Sequence, residues 1–163
     1  ILYGGFIATN AGVQLIEYNA RFGDPEAMNV LSILDTDFID ICESIVAGNL
    51  NILDIVFKNL ATVCKYAVPD GYPDNPIKGE EVDISNVKNK DLMFYASVER
   101  KKEKLIQIGS RTIAIVGHGD SIWEAEQIAE KNISKVKGPL FHRKDIGTTE
   151  LIQKKLNHML SIK

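Results

Sequence analysis

The sequence predicts an α+β fold in two parts, and three observations carry that expectation. Two apolar runs at the start alternate with the period of strands and meet at a glycine turn. Two segments with helical spacing follow. Beyond residue 60 strand-like runs return, broken by a loop rich in proline and glycine, and two further amphipathic helices accompany them. Residues 1–60 are thus expected to finish an antiparallel sheet carrying two helices. Residues 61–163 are expected to form a small, mostly antiparallel sheet domain with packed helices.

Residues 2–9 and 13–21 are the first two strands, and Asn10-Ala11-Gly12 supplies the turn of a hairpin. In the second strand Glu17, Asn19 and Arg21 occupy every second position and so share one face, with Val13 and Leu15 further along it. Ile16, Tyr18 and Ala20 are expected to point the other way, into packed core. Phe22-Gly23 breaks the strand. Asp24 is a good helix cap, Pro25 fits the first helical position, and the helix 25–34 carries Met28, Leu31 and Leu34. A second helix begins near Thr36 or Asp37, runs on the stripe Phe38, Ile39, Cys42, Ile45 and Val46, and stops at Gly48.

Ala61–Val68 reads as a strand. Pro69, Pro73 and Pro76 exclude both helix interior and central strand from the next stretch, which is expected to be an ordered surface loop. Residues 91–100 and 104–116 flank a charged tip, Lys101-Lys102-Glu103, as a second hairpin. Gly117-His118-Gly119-Asp120 reads as a tight turn into a helix with a capping box, Ser121 with Glu124, and the stripe Ile122, Ala125, Ile128, Ala129 and Ile133. The glycine pattern lacks the third glycine of a dinucleotide fingerprint, so a nucleotide loop is not expected there. Residues 142–147 make a polar turn before a last helix with Leu151, Ile152, Leu156 and Leu160. His118 reads as a turn residue, and the sequence offers no partner for His142 or His158.

Composition narrows the function classes. The 163 residues are 45% hydrophobic and 25% charged, with a net charge of −3, so no basic surplus points to nucleic acid or an anionic membrane. No apolar run reaches the length of a membrane span. Cys42 and Cys64 make neither a disulfide framework nor a zinc site, and both are expected to be buried thiols of a cytoplasmic protein. Ile1 is not an initiator methionine and opens an apolar run, so the chain is expected to be a piece of a longer protein that lacks its N-terminal part.

The chemistry concentrates in VQLIEYNARFGDPE, residues 13–26. Magnesium takes oxygen ligands, often one or two protein groups plus substrate phosphates. Glu17 and Asn19 offer such oxygens with little negative charge. Arg21 continues the row with a fork that can hold a carboxylate or phosphoryl group. The expected helix end at Pro25 adds backbone donors, and Asp24 serves as its cap while facing toward an amine substrate. These residues describe a metal–phosphate site and leave the reaction open.

ILYGGFIAT followed by GVQLIEYNARFGDPEA resembles the end of the ATP-grasp domain in the phosphoribosylamine–glycine ligase (glycinamide ribonucleotide synthetase) family. VPDGYPDNPIKGEEV resembles that family's proline-glycine loop and FHRKDIG its closing motif, so the match runs across the chain. The resemblance implies an enzyme of purine biosynthesis that uses ATP to make glycyl phosphate from glycine and passes the glycyl group to 5-phosphoribosylamine. It implies Glu17 and Asn19 as ligands of Mg²⁺ or Mn²⁺, Arg21 as the catalytic residue that holds the acyl or phosphoryl group, and Gly23 and Asp24 as substrate-binding. It also implies that residues 61–163 are the C-terminal domain that closes one side of the active site, which puts loops such as 69–79 and 142–147 within reach of substrate. One departure is that the strand preceding the row, ILYGGFIATN, offers no acidic metal ligand. Nothing here supplies the ATP lid, so the isolated chain is expected to be inactive. Two other readings compete: another ATP-grasp ligase or carboxylase, or a non-enzymic β-rich binding module made of residues 61–163.

Overall fold

The computed structural model describes residues 1–162. Its elements, in order, are β1 (Tyr3–Thr9), β2 (Gly12–Asn19), α1 (Glu26–Leu31), α2 (Phe38–Ala47), a 3-10 turn at Leu50–Ile52, β3 (Ala61–Pro69), β4 (Glu81–Val82), β5 (Met93–Tyr95), β6 (Val98–Lys101), β7 (Lys104–Gln107), β8 (Ile113–Gly119), α3 (Ile122–Ile133), β9 (Leu140–Phe141) and α4 (Thr149–Ser161). The strands form three antiparallel sheets: β1-β2, β5-β8-β3-β9 and β4-β7-β6. The α+β expectation holds, and the expected hairpin turns at Gly12, whose φ of 100° suits glycine alone.

The second part differs from its expectation. The runs 91–100 and 104–116 are not one hairpin in one sheet. They make a hairpin only at β6-β7, and both strands then cross into the central sheet as β5 and β8. The crossing is held by Ala96 N–H to Thr112 O, Ser97 N–H to Arg111 O and Ile108 N–H to Ser97 O, at 2.9–3.0 Å. Strand period alone does not report such a bend. The proline loop is ordered as expected: Asn75 N–H bonds Gly71 O and Ile77 N–H bonds Asp70 O, at 2.8 and 2.9 Å.

Alternation in β3 and β8 builds the core on both faces of the central sheet. Ala67, Ile113 and Ile115 pack with Ile133 and Val136 under the small sheet, and Val63 packs beside them on Ala125 and Ala129 of α3. Cys64, Ala114 and Val116 face the other way, toward Met28 of α1. Gly117 and Gly119 are not turn residues but the end of β8. A Cβ at Gly117 would strike the Ala125 carbonyl and the Ala129 amide, so their absence lets α3 lie directly on the strand. The close approach turns small residues inward. The buried stripe of α3 is Ala125, Glu126, Ala129 and Ile133, while Ile122 and Ile128 of the expected stripe sit at the flanks, 47% and 43% exposed. The expected cap is present: Ser121 Oγ accepts from Glu124 N–H at 3.2 Å, and Glu124 accepts from Asp120 N–H at 2.9 Å.

Glu126 is buried because Lys65 is buried against it. Lys65 Nζ donates to Glu126 Oε1 at 2.6 Å, Glu130 Oε2 at 2.7 Å and the Lys144 carbonyl at 2.9 Å, which uses all three of its protons. Glu130 also meets His142 Nε2, at 3.0 and 3.1 Å. His142 thus has the partner that the sequence did not reveal. Burial alone would raise the Glu130 carboxyl, but hydrogen bonds and charge from Lys65 and His142 hold it down at about 2. A carboxyl depressed by folding contributes stability that is present above its ordinary value of 4.5 and is lost as pH falls toward 2. Urea titrations at a series of pH values should therefore show a loss of stability between those limits that is smaller in Glu130→Gln. Equal acid sensitivity in both proteins would contradict this.

The first part departs most from its expectations at its surface. Ile16 and Tyr18 are 64% and 57% exposed rather than core, because β1-β2 is a two-stranded sheet of its own among the described residues and leaves these side chains open. Ala20 is likewise exposed, and so is Cys42, since among the described residues no element covers that side of α2. Cys64 is buried as expected, which pushes its thiol up to about 12. Phe6, Ile7, Val13 and Leu15 add to the apolar surface of the ribbon. Self-association of the chain at high concentration is therefore expected. A monomeric mass by light scattering across that range would count against it.

Candidate functional site

Glu17, Asn19 and Arg21 do share one side of the ribbon, and they are zipped together. Asn19 Nδ2 donates to Glu17 Oε1 at 3.0 Å, and Arg21 Nη2 donates to Asn19 Oδ1 at 3.1 Å. Arg21 Nη1 also holds the Phe22 carbonyl at 2.8 Å. The period-two count does not extend further up β2. Gly5 pairs with Glu17 and Phe6 with Leu15, which leaves Ile16 as the extra residue of a bulge. The bulge interrupts the alternation between Leu15 and Glu17, so Val13 and Leu15 do not simply continue the row.

The row borders a polar cleft of about 440 Å³, lined by Glu17, Arg21, Gly23 and Asp24 together with Tyr3, Glu26 and Arg111. Tyr3 OH donates to Glu26 Oε1 at 3.0 Å and closes one wall. Gly23 is hemmed in there: a Cβ would lie 3.0 Å from the Tyr3 ring and strike the Glu26 carboxylate, so glycine keeps this wall thin. Its carbonyl accepts from Ala27 N–H at 2.9 Å.

Asp24 does not cap a helix. Pro25 takes the cap position without a side-chain bond, and α1 spans only Glu26–Leu31 instead of 25–34. Backbone donors from a full helix end are thus not what this cleft offers. The carboxylate turns instead to the second part of the chain. Oδ1 accepts from Tyr66 OH at 2.9 Å and Oδ2 from Arg111 Nη1 at 2.6 Å, while the Arg111 guanidinium lies 5.6 Å from the Tyr66 ring centre. An ion pair with a phenol beside it is a stronger partner for a carboxylate than one backbone amide. Burial and the bond to Asp24 push the Tyr66 phenol up. A second polar contact joins the parts nearby: His118 Nε2 and Ser32 Oγ are 2.8 Å apart, with burial and the Lys58 charge holding the imidazole down. His118 is therefore a strut between strand β8 and the end of α1, not a turn residue. His158 lies exposed in the last turn of α4.

Arg111 also lines a second cleft, of about 400 Å³ and mostly apolar, with Tyr66, Val68, Tyr72, Phe141 and Arg143. The row of three was legible because its members are neighbours on one strand. Arg111 and Tyr66 were not, since they meet Asp24 across 87 and 42 residues and no local pattern marks them.

As a metal site the row is sparse. Among the described residues no group of three or more His, Cys, Asp or Glu side chains is placed to hold an ion. One carboxylate and one carboxamide fit a hard divalent cation that takes its other ligands from phosphate oxygens and water. Arg21 and Arg111, on opposite sides of Asp24 in sequence, give the cleft two guanidiniums for anionic oxygens.

Residues 62–149 match the family described as "Phosphoribosylglycinamide synthetase, C domain". A phosphoribosylamine–glycine ligase from Methanocaldococcus jannaschii is 51% identical over 162 residues, which cover 98% of this chain and 36% of that protein. One from Methanosarcina barkeri is 50% identical over 163 residues, covering 100% of this chain and 37% of its own length. The crystal structure of a phosphoribosylamine–glycine ligase from Thermotoga maritima superimposes with a TM-score of 0.73 at 27% identity, over 89% of this chain and 36% of that one. The chain thus spans a little over a third of the length of the relatives it matches. No helix among the described residues is long and apolar enough to cross a membrane.

Proposed function

Because the chain belongs to the phosphoribosylglycinamide synthetase family, which it matches through the C domain, we propose that it is the C-terminal part of a cytoplasmic, ATP-dependent ligase joining glycine to 5-phosphoribosylamine. The observation that carries the reading is the cleft itself: Glu17 and Arg21, joined through Asn19, share one cavity with an arginine from the matched domain, Arg111. In this reading residues 1–60 complete an ATP-grasp domain and residues 61–163 are the C domain. The remainder of such a ligase supplies the lid and lysines over ATP.

The reaction has two steps. A carboxylate oxygen of glycine attacks the γ-phosphorus of ATP, ADP leaves, and glycyl phosphate forms. The amine nitrogen of phosphoribosylamine then attacks the glycyl carbonyl, inorganic phosphate leaves with the bonding electrons, and the nitrogen gives up a proton, yielding glycinamide ribonucleotide. Glu17 and Asn19 would hold Mg²⁺ or Mn²⁺, which offsets charge on the transferring phosphoryl group. Arg21 holds the acyl or phosphoryl oxygens, and its bonds to Asn19 and Phe22 aim it before substrate arrives. Gly23 keeps the wall thin where substrate lies. Asp24 is positioned by Arg111 and Tyr66 and faces the amine. No nucleophile of the chain is needed, in keeping with phosphoryl and acyl transfer driven by positioning and charge.

The test is an assay of the full-length enzyme for glycinamide ribonucleotide, with ATP, glycine and phosphoribosylamine each omitted in turn. Product that depends on all three supports the reading. Product formed equally well with another carboxylate in place of glycine would assign the chain to a different ligase. The isolated chain is expected to give no product.

A further inference from the structure

We propose that the apolar cleft beside the row is the subsite of the amine acceptor and that it takes a sugar phosphate, with Arg143 as a phosphate-binding residue. The proposal rests on the ligase reading and extends it to a cavity that reading does not use. Attack on an acyl phosphate requires the acceptor to reach the donor from a connected cavity. Among the clefts of the described residues, the apolar one shares Arg111 with the polar cleft, and the adjacent residues Asp24 and Pro25 line one each. Its volume of about 400 Å³ lies within the ordinary range of small-molecule pockets, roughly 300–1,000 Å³.

The lining fits a molecule with an apolar ring face and an anionic end. Tyr66, Tyr72, Phe141 and Val68 offer aromatic and aliphatic surface to the C–H face of a pentose. Arg111 and Arg143 offer two guanidiniums. Arg143 commits Nε and Nη2 to Asp145, at 3.0 and 2.6 Å, and Arg111 commits Nη1 to Asp24. These counter-ions hold each fork in place while its remaining donors can meet phosphate oxygens. Arg143 sits on a short segment anchored from behind, because the carbonyl of the next residue, Lys144, accepts from buried Lys65. The buried ion cluster thereby acts as the mounting of the subsite.

The experiment uses the full-length enzyme and ribose 5-phosphate, a stable analogue that carries the sugar and phosphate without the amine. Calorimetry should show binding to the wild type. Arg143→Met should weaken it by about tenfold or more, the effect of losing a charged hydrogen bond, and should raise the KM of phosphoribosylamine similarly. The KM values of ATP and glycine should stay within about twofold, and Arg143→Lys should recover part of the loss. The Arg143 side chain is 62% exposed, so the fold should survive, as a thermal melt would verify. No binding of ribose 5-phosphate to the wild type, or an unchanged affinity in Arg143→Met, overturns the subsite while product formation by the wild type leaves the ligase reading standing. Binding that depends on Arg143 in an enzyme that makes no product supports the subsite and overturns that reading.

Discussion

In the full-length protein, Glu17→Ala is expected to lower the kcat of the proposed ligase reaction by about a thousandfold or more while leaving the protein folded. The magnitude is that of removing a preorganised group aimed at transition-state charge, about 10²–10³ for a single donor, with the loss of a metal's protein carboxylate added. The fold should be indifferent because Glu17 is exposed and its described hydrogen bond is to Asn19 alone. Glu17→Gln keeps an oxygen in place but removes the charge, and should fall between the wild type and alanine. Steady-state kinetics beside a thermal melt separate the two causes. Near-normal turnover in Glu17→Ala would remove this residue from the metal role, and a collapsed melting transition would show a structural role instead.

The second large effect is on stability. Lys65→Ala should destabilise the chain by about 3–5 kcal/mol, the usual cost of stripping one partner from a buried ion pair. The lysine side chain is fully buried and that of Glu126 only 4% exposed, so the Glu126 carboxylate could not recover water cheaply. Gln127 reaches only the other oxygen of Glu126, at 2.7 Å, and cannot replace an ammonium that makes three bonds. A triple replacement, Lys65→Met with Glu126→Leu and Glu130→Gln, should recover most of the loss, since apolar groups of similar volume often match a buried pair. Urea denaturation at neutral pH measures both. A loss below about 1 kcal/mol for the single variant would mean that water enters the cluster and that its charges are not truly buried.

How far the sequence could be read followed the distance over which each feature is encoded. The hairpin at Gly12, the cap at Ser121 and the row Glu17-Asn19-Arg21 all depend on residues within four positions, and each appears as the pattern implies. The bulge at Ile16 escaped because one extra residue leaves no mark in an otherwise alternating run. Asp24 looked like a cap because the competing partners, Tyr66 and Arg111, are far away in the chain. Lys65 is one charge in an apolar strand, and only the packing of β3 against α3 shows that Glu126 and Glu130 answer it. Ile16, Tyr18 and Cys42 were assigned to a core on their hydrophobicity, whereas burial depends on a covering element that the described residues do not provide.

The two absent side chains at Gly117 and Gly119 have a consequence at the cleft. They let α3 rest on β8, and that spacing sets how far Glu126 and Glu130 stand from Lys65. Lys65 in turn holds the backbone next to Arg143. The helix, the strand and the arginine therefore form one lever with its fulcrum at a glycine. A single added methyl at Gly117, behind the sheet and away from any substrate, would lift the helix and move the arginine's mounting with it.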